Sequence, residues 1–449
     1  MVRMTSGSVS AIWGRHAIRV CPIFIYIFLR VFYDLCYNFF MEFIEAKMKN
    51  GSSIYMMPMN GLKSVACGAL IRVGSRNELL EKDFGLAHAL EHMPFKGTKN
   101  FPDSFSLSSY IEEVGGFKNA LTNKDRTFFY NKLPDYELER SVNWLHEVLE
   151  NPLLKESDLV TEKKVIFEEI NRSNDNPDKY FWKLSYKNLF GNHPMAHPVL
   201  GTEESIRNLN VKDLINFHKK FYGANNYTFF AAGNIDCDNV LNIFNQHFQS
   251  TKNVIEKTSV PNEFVKPVQK EFVNIKDFKQ MKVGLCFFIQ PPSLEDKMAL
   301  YFFSDMLSSG MASPLFQEFR VKRNLVYSIN SFYNVGIDQG LFYISIATSF
   351  KDYSEIKKIS LDVIERTKYD KNRFDHTKQR VLGNLSFAFE SPFNTITEAS
   401  KDAVYLGRPM GYEEIKRKIE MISLGSIRLL VDKYLNQDNL YLNILMPEK

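Results

Sequence analysis

The period of the apolar positions changes repeatedly along this chain, and the changes divide it into two successive runs of strands and helices. Residues 53–74 give short strand-like apolar runs. A helix around 88–92 follows, then a second over 106–114. A strand begins near Asn119, because the aromatic run Thr127-Phe128-Phe129-Tyr130 beyond it favours extended backbone. Helices fill 135–172. Within them Leu159, Val160, Ile166, Phe167 and Ile170 recur at helical spacing, so the segment from Ser157, its N-cap, to Arg172 reads as an amphipathic helix, with Pro177 as the stop signal. Tyr227–Ala232 reads as a strand. The stretch from Ser250 to Pro267 collects Ser, Thr, Lys, Asn and two prolines, the composition of a linker. Beyond it the order repeats, with a strand over 282–288, a helix over 294–307, a helix near 315–320, and strands over 327–334 and 340–348.

That repetition suggests an old duplication. Each half is expected to be a mostly antiparallel sheet covered by helices, an α+β arrangement. The divisions are an N-terminal extension (1–40), a first domain (41–250), a linker (251–269) and a second domain (270–449).

Composition narrows the classes. The 449 residues are 45% hydrophobic and 24% charged, the profile of a globular protein large enough for two domains. A net charge of +4, with no long stripe of Lys and Arg, gives no support to nucleic-acid binding. Cys21, Cys36, Cys67, Cys237 and Cys286 are scattered, which argues for a reducing compartment and against both a disulfide framework and a thiolate zinc site. The apolar run from Val20 to Leu29 is too short to span a bilayer, so no stable membrane span is expected. Arg3, Arg15, Arg19 and Arg30 with no acid before Asp34 fit a mitochondrial presequence; the alternative is a true start at Met41. The late start is favoured. The expected location is therefore the cytoplasm, or the mitochondrial matrix if residues 1–40 are a presequence.

The chemistry concentrates in His88-Ala-Leu-Glu-His92. At about 3.6 residues per turn, His88, Glu91 and His92 share one side of a helix. Two neutral imidazoles one turn apart can share a zinc ion, and the carboxylate between them can take a proton from water. The order H-x-x-E-H is the inverse of the commoner metallopeptidase string. A hydrolytic zinc site has three protein ligands and an open position. The best third ligand is Glu169, with Glu162 seven residues earlier on the same helical face, drifting by only about 20°. Glu162 is then an acid that orients a histidine or tunes the site. His193 and His197 are also four apart, but Pro194 and Pro198 break any helix there, so they read as loop residues.

Gly85-Leu-Ala-His-Ala-Leu-Glu-His-Met-Pro-Phe-Lys-Gly-Thr98 resembles the active-site helix of the pitrilysin/insulinase family of zinc peptidases, and of the short branch that includes the mitochondrial processing peptidase subunits. Four further blocks are similar to family signatures. They are the G-G-x-x-N-A-x-T string within Glu113–Tyr130, Gly191–Gly201, Asn226–Gly233, and Gly310–Ser328 with its paired Arg and Tyr. The likeness runs from about Met41 to the C-terminus. Pro94 and Asn324 depart from it, the second standing where a glycine is usual.

The resemblance implies His88, His92 and Glu169 as zinc ligands, Glu91 as general base and Glu162 in support. Arg320 and Tyr327 match a pair that reaches toward the zinc from an opposing half. Tyr327 would donate to the developing oxyanion, and Arg320 would hold Tyr327 or substrate backbone. Asn119 lies where relatives pair a strand edge with an extended peptide. A turn-forming Asn beside two glycines is the competing explanation for it. Larger relatives join four domains and this chain has two, so a homodimer, or a heterodimer with a related subunit, is expected. The leading function is a Zn2+-dependent endopeptidase acting on extended or unfolded peptides. The alternative is a catalytically silent peptide-binding or structural subunit.

Overall fold

The computed structural model of the chain describes residues 41–254 and 266–448, apart from Leu79, Pro291, Pro292, Asp338 and Lys351, and the backbone of three short strands before residue 21. Those strands, Arg3–Thr5 (β1), Ser8–Trp13 (β2) and His16–Val20 (β3), pair antiparallel in a sheet of their own. Most of the apolar run read at 20–29 and the middle of the expected linker, 255–265, lie outside the described residues.

Two mixed sheets organise the rest. The first joins Ile44–Lys47 (β4), Ser53–Pro58 (β5), Ser64–Ile71 (β6), Phe117–Thr122 (β7), Thr127–Pro134 (β8) and Tyr227–Gly233 (β9) in the order β4-β5-β9-β6-β8-β7. The second joins Glu271–Lys276 (β10), Met281–Ile289 (β11), Ser328–Val335 (β12), Gly340–Thr348 (β13) and Leu440–Pro447 (β14) in the order β10-β14-β11-β13-β12. Leaving out β4, both read first, fifth, second, fourth, third along the chain. In each, only the first pair is parallel, β5 with β9 and β10 with β14. The expected α+β fold is what the chain adopts.

Burial explains which strands are central. β9 is buried at every residue and β6 at all but its first, as strands covered on both faces must be. The edge strand β4 alternates half-buried and exposed positions. One face of the first sheet carries its own helices, among them Leu86–His92, Leu138–Glu150, Glu156–Asp175 and Val211–Phe221, which bury Leu90, Trp144, Ile166 and Phe217 against Ile71 and Phe229. Its other face is covered by a helix from the second half, Pro392–Leu406, which sets Ile396, Ala399 and Ala403 on Leu70, Phe128 and Phe230. The second sheet is built reciprocally. Its own helices include Leu294–Ser308 and Tyr353–Thr367, and its outer face receives Pro177–Phe190 from the first half, with Phe181 and Tyr186 against Phe288 and Tyr343. Polar contacts pin the exchange, with Arg126 donating to Ser400 Oγ at 2.7 Å and Lys282 Nζ 2.6 Å from Asp178.

Two local expectations need correction. The helix bearing Glu169 starts at Glu156, with Lys155 in the N-cap position and no side-chain cap, so Ser157 lies inside its first turn. Pro177 lies beyond the end of that helix at Asp175, as expected, and also opens the next one, capped by Asn176, because a missing N–H costs nothing at a first helical position. The helix expected near 315–320 is a short turn, Pro314–Phe316, that continues as a π-helical segment, Gln317–Lys322. Asn324 has φ 51°, a left-handed conformation that Asn tolerates nearly alone among residues with a Cβ, consistent with its standing where a glycine is usual. Leu294–Ser308 follows β11 as Leu86–His92 follows β6, and it carries no histidine. No helix among the described residues is long and apolar enough to cross a membrane.

The exchanged helix gives a stability prediction. Ile396 is fully buried between the halves. Ile396→Ala should cost about 2–5 kcal/mol through lost burial and the cavity left behind. Urea unfolding followed by tryptophan fluorescence measures it.

Candidate metal centre

The helix Leu86–His92 enters from Gly85, whose φ of 90° turns the chain in a way a Cβ would obstruct, since that atom would lie 2.6 Å from Ile206 Cδ1. Leu86, Ala87, Ala89 and Leu90 anchor it in the core. The opposite side carries His88, Glu91 and His92. His88 and Glu91 are each only 8% exposed. Glu169 meets them from the long helix Glu156–Asp175.

The three expected ligands converge. His88 Nε2 and His92 Nε2 are 3.2 Å apart, and Glu169 Oε2 lies 3.6 Å from the first and 3.9 Å from the second. Donors around a tetrahedral zinc at about 2.05 Å sit roughly 3.3 Å from one another, so the triangle is close to ligand size. Among the described residues this is the one grouping of at least three His, Cys, Asp or Glu side chains with the reach to hold a metal ion. Glu169 Oε2 is buried and accepts no hydrogen bond, an orphaned acceptor that a cation would satisfy. The residues fit a zinc ion.

The electrostatics suit the same reading. Burial, reinforced by His92, pushes His88 down to about 3, so it is neutral near pH 7 as a metal ligand must be. Burial also lowers His92, but a hydrogen bond to Glu162 and the charges of Glu91 and Glu169 overcome it, leaving His92 above its ordinary value. Surroundings that favour a proton there equally favour a divalent cation. Burial raises the Glu91 carboxyl, opposed by a hydrogen bond from Thr122 and by His92, with Glu169 adding to the rise. A carboxyl tuned upward is a better proton carrier near neutral pH.

Glu162 is 3% exposed, its Oε2 3.7 Å from His92 Nδ1 and its Oε1 2.6 Å from Lys96 Nζ. Burial would raise its carboxyl, but the contacts with His92 and Lys96 prevail and hold it below its ordinary value. It stands behind His92 as an outer carboxylate that fixes ring orientation. Lys96 and Thr122 are partners that sequence reasoning passed over. Lys96 is four residues after His92, a helical spacing that offered a signal; Thr122 belongs to the string containing Asn119.

The remaining expected residues lie elsewhere. Asn119 is on β7, the end strand of the first sheet, and its side-chain oxygen accepts from the Ala120 N–H at 2.9 Å. His193 and His197 flank a short turn, Pro194–Ala196, as loop residues. Arg320 donates to the carbonyl oxygen of Tyr327, a residue 53% exposed. Both are on the second half, and among the described residues no contact joins them to the histidine cluster.

Two family models match the chain, insulinase (peptidase family M16) over residues 58–203 and peptidase M16 inactive domain over residues 208–381. The chain belongs to the pitrilysin/insulinase family of peptidases, in its short two-domain form. An uncharacterized zinc protease of Rickettsia felis is 28% identical over 389 residues, covering 86% of this chain and 93% of the relative. The uncharacterized zinc protease YmxG of Bacillus subtilis is 27% identical over 394 residues, covering 87% and 95%. The fold is shared with a protease from Helicobacter pylori, with a TM-score of 0.83 at 23% identity over 91% of this chain and 100% of that one.

Removing Lys96 tests the support behind His92. Lys96→Met leaves the Glu162 carboxylate buried without its closest cation, and should destabilise the metal-free protein by about 1–3 kcal/mol. Thermal unfolding in the presence of a chelator reads this directly.

Proposed function

We propose that the protein is a zinc endopeptidase that hydrolyses extended or unfolded peptides. The observation that carries this reading is the triangle of His88, His92 and Glu169 donors with the buried Glu91 carboxyl on the same helix face. The relatives' description as zinc proteases supports the choice of metal.

When bound, the zinc ion polarises the scissile carbonyl and lowers the pKa of water. Glu91 removes the proton from the attacking water and returns it to the departing amine. Thr122 and His92 oppose the rise that burial imposes on its carboxyl. Glu162 holds His92 by its other ring nitrogen. Among the described residues β7 has a strand partner on one side only, and an extended peptide can pair with its other edge at Asn119. Backbone pairing selects extended chain with little regard for side chains. A cytoplasmic setting is part of the proposal and fits the free thiols at Cys67, Cys237 and Cys286.

The alternative is a catalytically silent subunit. The words "inactive domain" describe the match over 208–381, a stretch that holds none of His88, Glu91, His92 or Glu169. Such a division within one chain favours an enzyme whose second half is structural.

The exposed Arg320 and Tyr327 point to a dimer. If they reach a zinc site, it is that of a second copy or a related subunit, with Tyr327 donating to the oxyanion and Arg320 steadying it. Sedimentation of the full chain under assay conditions should show a dimer, and an active monomer would overturn that part of the proposal.

The main test is cleavage of an internally quenched unstructured peptide by the full chain. Wild type with zinc should turn over, chelation should abolish it, and Glu91→Gln should lower the rate by about 10²-fold or more while leaving zinc bound. Zinc binding without cleavage by wild type would favour the silent-subunit reading.

A further inference from the structure

The helix that carries His88, Glu91 and His92 has seven residues and no side-chain cap of its own, since its N-cap is Gly85. Its first N–H groups are satisfied from outside. Glu78 reaches across the intervening loop, Oε2 accepting from Gly85 N at 2.9 Å and Oε1 from Ala87 N at 2.8 Å. Both carboxylate oxygens are used, and the residue is 1% exposed. Ala87 adjoins His88, so this bond fixes backbone one residue from a ligand.

Glu78 is itself anchored to the opposite wall of the site. The preceding Ser75 and Arg76 donate their N–H groups to Asn123 O and Lys124 O, each at 3.1 Å. The Arg76 guanidinium lies 2.8 Å from Asp125, a pair almost wholly buried. Gly74 allows the approach, because a Cβ there would stand 2.2 Å from Asn123 O. Residues 123–125 form the turn between β7 and β8, directly after Thr122, the partner of Glu91. One short loop thus grips the turn of the β7–β8 hairpin by its backbone and the metal helix by a carboxylate.

We infer that Glu78 is a positioning residue, holding the helix of His88, Glu91 and His92 at a set depth and rotation against the hairpin that bears Thr122 and the free edge of β7. The inference rests on the zinc-peptidase reading. Without Glu78 the helix start is free to fray, His88 loses its fixed place relative to Glu169, and Glu91 moves relative to a peptide on β7. Zinc affinity and turnover fall together, while the peptide edge itself is unchanged.

The test compares the full chain as wild type, Glu78→Gln, Glu78→Ala and Asp236→Ala. Asp236 caps the helix Cys237–Phe248, remote from the ligands, and controls for the mere loss of a helix cap. Zinc affinity is read by competition with a chromogenic chelator, alongside kcat and KM for the quenched peptide and the melting temperature of the metal-free protein. In Glu78→Ala, zinc affinity and kcat should each drop about tenfold or more with KM changed less than about threefold, the size of effect seen when a ligand's outer support is removed. Glu78→Gln keeps the volume and one acceptor, and should recover part of both. Asp236→Ala should lower the melting temperature without touching zinc affinity. If Glu78→Ala fails to fold, Glu78→Gln decides alone, and wild-type zinc affinity with wild-type kcat in it overturns the inference. Glu78→Ala behaving like Asp236→Ala overturns it too. Both results leave the peptidase reading standing, whereas a wild type that binds no zinc sinks that reading and the inference with it.

Discussion

A seven-residue helix has too few internal hydrogen bonds to hold its own shape, let alone two imidazoles in register with a carboxylate on another element. That deficit governs the first half of the molecule. The helix Leu86–His92 is fixed by what surrounds it: Leu86, Ala87, Ala89 and Leu90 in the core, Glu78 at its start, and Glu162 behind His92. The loop after it is also held by a carboxylate. Glu147, almost wholly buried, accepts from Thr98 Oγ1 at 2.7 Å and from the side chain of Asn100 at 2.8 Å. Rigidity that a longer helix would supply from its own backbone is supplied here by three buried acids from three different segments.

The sheet beneath has a corresponding role. β6 leads into the metal helix and β7 ends the same sheet, so under the proposed peptide pairing the two reactants of a hydrolysis would be presented by one continuous hydrogen-bonded layer. The reverse of the layer is covered by the helix Pro392–Leu406. The second half therefore contributes to the site without lending it a ligand. Its own sheet has the same strand order, and the place after β11 that corresponds to the metal helix is filled by Leu294–Ser308.

Much of this was legible in the amino-acid order. Local spacing exposed the metal site, because His88, Glu91 and His92 lie within one helical turn and Glu162 and Glu169 within two turns of another helix. Aromatic and β-branched runs marked β9, β11, β12 and β13 within a residue, while the one strand read from near Asn119 is two, β7 and β8. The errors came where a local rule had a competitor. Ser157 is a good cap residue, but the helix begins one residue before it, with the acids Glu156 and Asp158 in the first turn. The segment near 315–320 reads as an ordinary helix and is π-helical over Gln317–Lys322. What spacing could not show was any contact made across a loop or between halves. Glu78 acts on Gly85 and Ala87 by folding back, and the paired exchange of Pro177–Phe190 and Pro392–Leu406 depends on surfaces that only the assembled sheets possess.

The exchange of helices sets an order of events during synthesis. The first sheet can pair completely once β9 has emerged, at Gly233, but its reverse face, with Leu70, Phe128 and Phe230, has no cover until Leu406 has been made. For more than a third of the chain's translation a nascent protein would carry a finished metal site on a sheet with one greasy side. Completion of the half that carries the metal site is thereby tied to the arrival of a downstream segment that shares none of its chemistry.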